Sequence, residues 1–199
     1  MSLPEFEIEI VSQSWIPDDA EGARYDLCTH GDLRLVIGGH VILPGDGENE
    51  FTISTSALAL LRTLESDHKP APPLEGTSGS REWLNDSCVP MTEKLVMHCG
   101  MLAMLSCPNG ADWSVTHLGG RVRLHDVVRV DEHGETRFPD ISIELRFDEY
   151  RRSVVTFAEK AKEPFAGVEK EFDEGDYDRE LYPRFWAEYD GLLARHSGS

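Results

Sequence analysis

The sequence predicts an α+β fold: a multi-stranded, mainly antiparallel sheet covered by about three helices, in a single domain spanning residues 1–199. Three observations predict it. Short runs alternate apolar and polar residues, which marks half-buried strands. Three segments switch to apolar residues at helical spacing. Glycine-rich turns separate the short runs, as antiparallel connections require.

The first run is Phe6-Glu7-Ile8-Glu9-Ile10, after Glu5. It sets carboxylates on one face and apolar side chains on the other. An acidic turn follows Trp15 and Pro17, at Asp18-Asp19-Ala20-Glu21-Gly22. Tyr25–Cys28 and Leu33–Ile37 read as two strands joined by a hairpin turn, Thr29-His30-Gly31-Asp32. Gly38-Gly39 interrupts the run, and Val41–Leu43 resumes it. Pro44-Gly45-Asp46-Gly47 is a second turn, and Phe51–Ile53 a short strand.

The period then changes. Ser54 or Thr55 is placed to cap a helix whose stripe is Ala57, Leu58, Leu60, Leu61 and Leu64. Residues 69–92 are rich in Pro, Gly and Ser and read as a long mobile loop. Leu95–Cys107 is nearly continuous apolar sequence broken by Gly100. It suits two buried strands, with a buried helix as the alternative. Asp112 follows Asn109-Gly110 and reads as a turn residue. Trp113–His117 and Arg121–Val130 form a hairpin around Gly119-Gly120. Asp126 falls on the apolar side of that second strand, which calls for a bulge near His125 or a buried partner.

Ile141, Ile143, Leu145 and Phe147 alternate as a further strand. From Asp148 a helix buries Tyr150, Val154, Val155, Phe157, Ala158 and Ala161, and Pro164 lies past its end. Residues 168–199 form an acidic helical segment. In it Tyr182, Phe185, Trp186, Tyr189, Leu192 and Leu193 recur at helical spacing, with Pro183 near the first turn.

The formal charge is −18, from 37 acidic and 19 basic side chains. Such a chain repels nucleic-acid phosphates and anionic membranes, so neither is an expected partner. A basic protein is the partner that this charge attracts. No basic region followed by an apolar stretch opens the chain, and no run is long enough to span a bilayer, so the expected setting is the cytoplasm. The four cysteines, Cys28, Cys88, Cys99 and Cys107, then read as reduced and buried.

The stretch Met97–His117 concentrates His98, Cys99, Cys107, Asp112 and His117. No Cys-x-x-Cys pair is present, so no zinc site is expected. An enzyme or metal-dependent hydrolase using His98, Cys99 and His117 is the alternative reading, should those side chains meet across the sheet. The chain has no G-x-S-x-G, P-loop, H-E-x-x-H or G-x-G-x-x-G pattern. No metal, cofactor or catalytic residue is therefore assigned. At Asp173–Asp178 the glycine sits at the wrong offset for a calcium loop. The acidic, aromatic-spotted stretch is instead suited to gripping a basic protein, with Glu171, Asp173, Glu174, Asp176 and Asp178 as the partner-binding carboxylates.

The segments YDLCTHGDLRLVIGGHVI, FTISTSALALLRTLESDH, HCGMLAMLSCPNGADWSVTH and ISIELRFDEYRRSVVTFAEKAKEPF resemble the immunity proteins of bacterial polymorphic toxin systems. The likeness runs from about Trp15 to Phe165 and carries no sharp catalytic motif. It implies a small cytoplasmic, non-enzymatic protein that blocks a cognate toxin by binding it. Many such toxins are basic nucleases, which suits the charge. An exposed apolar sheet edge would allow a homodimer.

Overall fold

A computed structural model describes residues 3–14, 29–47, 51–66, 94–98, 110–131, 134–166 and 178–198. Its strands are β1 (Phe6–Ile10), β2 (His30–Gly31), β3 (Leu33–Ile37), β4 (His40–Pro44), β5 (Phe51–Thr52), β6 (Lys94–His98), β7 (Gly110–His117), β8 (Arg121–Asp131), β9 (Gly134–Phe138) and β10 (Ile143–Arg146). The helices are α1 (Ile53–Arg62), α2 (Phe147–Lys162) and α3 (Asp178–Ser197). A 3-10 turn, Glu163–Phe165, follows α2 and contains Pro164. The α+β class is as the sequence predicts, with every strand pair antiparallel. The strands divide among three sheets. One has the order β1-β3-β4. The largest runs β10-β8-β7-β6, with β9 also paired to β8. A small one joins β2 to β5.

The hairpin between β3 and β4 turns on Gly38-Gly39, whose φ values are 61° and 75°. Two successive positive φ angles make the turn whose twist matches the flanking strands, and glycine adopts them without a Cβ penalty. Thr29–Asp32, expected to be a hairpin turn, is not one. His30 and Gly31 pair with Thr52 and Phe51, and His30 also bridges Ser14. The buried Asp32 carboxylate accepts hydrogen bonds from the N–H groups of Leu33 (2.8 Å) and Gly47 (2.7 Å), tying the start of β3 to the loop after β4. Tyr25–Cys28, the loop at 69–92 and residues 99–109 lie outside the described residues.

Helix α1 begins at Ile53, before either expected cap. Ser54 lies inside it, and its hydroxyl accepts from the Thr29 N–H at 3.4 Å. In α2, the buried residues are the six read from the sequence. Phe147, expected to end a strand, opens this helix instead. Its N–H bonds to the Gly120 carbonyl at 2.9 Å, so one of the donors that a helix start leaves unpaired is satisfied. Asp148 and Glu149 in the first turn suit the positive end of the helix dipole. Helix α3 runs through Pro183, at its sixth residue rather than near its first turn, at the expense of one helical hydrogen bond.

Both larger sheets and all three helices contribute to one buried cluster. It is centred on Trp113, Tyr150, Tyr189, Phe51 and Phe157, with Leu33, Leu35 and Ile37 from β3 and Leu58 and Leu61 from α1. Burial of each such side chain contributes about 1.5–3 kcal/mol.

Candidate partner-binding site

Asp178 is the first residue of α3, and Glu171, Asp173, Glu174 and Asp176 lie in 167–177, outside the described residues. The elements on either side of that stretch are firmly held. On α3, Phe185, Tyr189 and Leu192 are buried and Trp186 is half-buried. The Trp186 ring lies 4.4 Å from that of Phe165, at the end of the 3-10 turn, and 5.1 Å from that of Tyr189. Tyr189 donates to the Ala158 carbonyl at 2.7 Å, and burial pushes its phenol pKa up. Phe185, Trp186 and Tyr189 therefore face the core.

Ion pairs fix the rest of α3. Arg62 makes a two-pronged contact with Glu188, both bonds 2.6 Å. Lys162 pairs with Asp190 and sits 5.8 Å over the Trp186 ring. Arg195 Nε and His196 Nε2 each lie 3.0 Å from Glu65 Oε1. Partial burial raises the Glu65 pKa, but hydrogen bonds from His196 and Arg195 outweigh it and hold the carboxyl below its ordinary value. Arg151 donates to the His196 carbonyl at 3.0 Å, closing the C-terminal end of α3.

Eight cations of the described frame already contact frame carboxylates: Arg34, Arg62, Arg121, Arg123, Arg146, Arg151, Lys162 and Arg195. Residues 167–177 alone carry Glu169, Glu171, Asp173, Glu174 and Asp176 against Lys170.

The histidines of the enzyme alternative do not come together. His98 pairs with Gly110 at one end of β7, and His117 ends that strand seven residues farther on. At about 3.3 Å per residue the two are roughly 23 Å apart along the strand. Cys99 lies outside the described residues. His117 closes α1 instead: its Nε2 is 2.8 Å from the Thr63 carbonyl, and its ring packs on Phe147. Thr63 in turn meets the buried Tyr150 hydroxyl at 2.8 Å. Asp112 is no turn residue either, since it pairs with Val96 on β6 and Val128 on β8. Ladder pairing on both sides overrides its turn preference.

A polar network occupies the wet face of β7 and β8. Three residues of β7, Asp112 to Ser114, oppose four of β8, His125 to Val128. This is the bulge that the misplaced Asp126 called for, and Asp126 takes φ 54° in it. Its Oδ2 accepts from Ser114 Oγ (3.2 Å) and lies 3.0 Å from His125 Nδ1. His125 Nε2 lies 2.9 Å from Thr116 Oγ1. Beside it, Arg121 and Arg123 hold Glu144 of β10; the hydrogen bond from Arg123 is the main cause of its lowered pKa. The two hydroxyls were not singled out from the sequence. A two-residue turn at Gly119-Gly120 does pair position 116 with 123 and 114 with 125, so the signal was there.

Among the described residues no three His, Cys, Asp or Glu side chains are grouped to hold a metal ion. No described helix is long and apolar enough to cross a membrane. A scan against protein-family models, and searches of curated proteins and of solved structures, find no match for this chain.

Proposed function

We propose that this chain is a cytoplasmic immunity-type protein that neutralises a basic bacterial toxin, such as a cationic nuclease, by stoichiometric contact. One observation carries the reading: from Glu169 to Asp178 the chain holds six carboxylates against one cation, Lys170. A general need for solubility calls for no such cluster. A surface that captures a cation-rich partner does, because carboxylates without cations nearby keep their field and accelerate encounter. Glu171, Asp173, Glu174, Asp176 and Asp178 are the contact residues of this reading. Binding uses no cofactor, metal, nucleic acid or membrane.

The test is co-expression with the product of the adjacent upstream reading frame, followed by calorimetry at about 20 mM and about 300 mM salt. Tight binding at low salt, weakened about tenfold or more at high salt, supports the reading. Changing the five carboxylates to amides should weaken binding by one to two orders of magnitude, roughly, mostly through the on-rate. Salt-independent binding, or a fivefold variant that binds and protects cells like the parent, overturns it.

A further inference from the structure

We propose that Thr116 is a nucleophile, activated by His125 and positioned through Asp126, for acyl transfer from an activated ester or thioester. This goes beyond the neutralising reading and does not rest on it. The geometry carries it. A carboxylate oxygen at one imidazole nitrogen (3.0 Å) and a hydroxyl at the other (2.9 Å) form the hydroxyl–imidazole–carboxylate order of nucleophilic acyl transfer. With Nδ1–H donated to Asp126, Nε2 is left to accept the Thr116 proton.

The backbone supports the same arrangement. Regular alternation would turn Asp126 away from His125. The bulge and its left-handed φ bring both side chains to the wet face, a strained conformation for a residue with a Cβ. Ser114 donates to the same carboxylate oxygen and fixes its direction. Thr116 and His125 are half-buried, so a substrate reaches them from solvent. Arg123, directly across from Thr116, is held by Glu144 and so takes no part in the step.

The step balances. Thr116 Oγ1 attacks the carbonyl carbon while its proton passes to His125 Nε2, and Asp126 stabilises the imidazolium. The tetrahedral adduct collapses, breaking the bond to the leaving alcohol or thiol, which takes the proton from Nε2. Water, deprotonated by His125, then releases the carboxylic acid and restores the threonine. Asp126 and Ser114 are positioning residues.

The full-length protein would be treated with an alkyl fluorophosphonate and the adduct located by peptide mass spectrometry. In that probe reaction an Oγ1–P bond forms and fluoride leaves. A single adduct on Thr116 is expected, retained in Thr116→Ser and absent from Thr116→Val and His125→Gln. Asp126→Asn should slow labelling about a thousandfold or more and change its pH profile. Circular dichroism shows whether each variant is folded. No adduct on the folded wild-type protein overturns the proposal. So does an adduct on another residue, or labelling that Asp126→Asn leaves unchanged.

Discussion

Single residues decide the turns and the bulge, and two of them contrast usefully. Asp126 adopts a left-handed φ although it has a Cβ; aspartate is among the few residues that tolerate this, and here its side chain is held by two partners. Gly39 adopts φ 75° with nothing within 4 Å of where a Cβ would sit. Gly39→Ala therefore isolates the backbone term, free of steric crowding. It should destabilise the fold by about 1–2 kcal/mol, read as a lower urea midpoint at unchanged slope. An unchanged midpoint would mean that the turn relaxes to another conformation. Both features were legible in the sequence to different degrees. Asp126 stood out because it broke a strand's alternation. Gly38-Gly39 was read only as an interruption, because Thr29–Asp32 offered a competing turn signal just upstream. That competitor lost because His30-Gly31 has a ladder partner in β5, a long-range contact that local composition does not encode.

Elements were most legible where one periodic face met one core. The buried side of α2 follows from its spacing alone. The core side of α3 does too, as Phe185, Tyr189 and Leu192 show. The partition of strands among three sheets was not legible, because alternation shows which face is buried and not which neighbour is paired. Strand β9 was missed for a related reason: Gly134-Glu135-Thr136-Arg137-Phe138 has little apolar alternation, and its pairing to β8 defines it. Of the candidate site, the acidic stretch was visible as composition, while its anchoring required three dimensions. Arg62 makes that anchoring testable. Its side chain is 9% exposed and paired to the more open Glu188, 44% exposed. Removing Glu188 leaves a guanidinium in a poorly hydrated place, which is worse than removing both partners. Glu188→Ala should destabilise by about 1–3 kcal/mol, less than a fully buried pair because Glu188 is half open. The double variant Arg62→Met/Glu188→Ala should be more stable than Glu188→Ala alone. Equal stability of the two would show that Arg62 finds water when its partner is gone.

For the whole molecule, two electrostatic effects with opposite pH dependence set stability. The charge of −18 repels itself and disfavours the compact state. Proton uptake as the pH falls from 8 towards 5 makes the net charge less negative, which relieves that repulsion. Glu65 acts in the other direction at lower pH. Its pKa is held below the ordinary 4.5 in the folded chain, so its contribution is fully present above about 4.5 and is lost as the pH falls through the folded value. The melting temperature should therefore rise from pH 8 to about 5.5, then fall below about 4.5. Added salt should raise it at pH 8, where repulsion dominates, and do less at pH 5.5, where there is less repulsion to screen. Glu65→Gln should keep the rise and flatten part of the acid fall. Differential scanning calorimetry over that pH range reads all three effects. A melting temperature that falls steadily from pH 8 to 5.5 would contradict the dominance of self-repulsion. It would also weaken the premise that this chain carries more negative charge than its own fold neutralises, on which the capture of a basic partner depends.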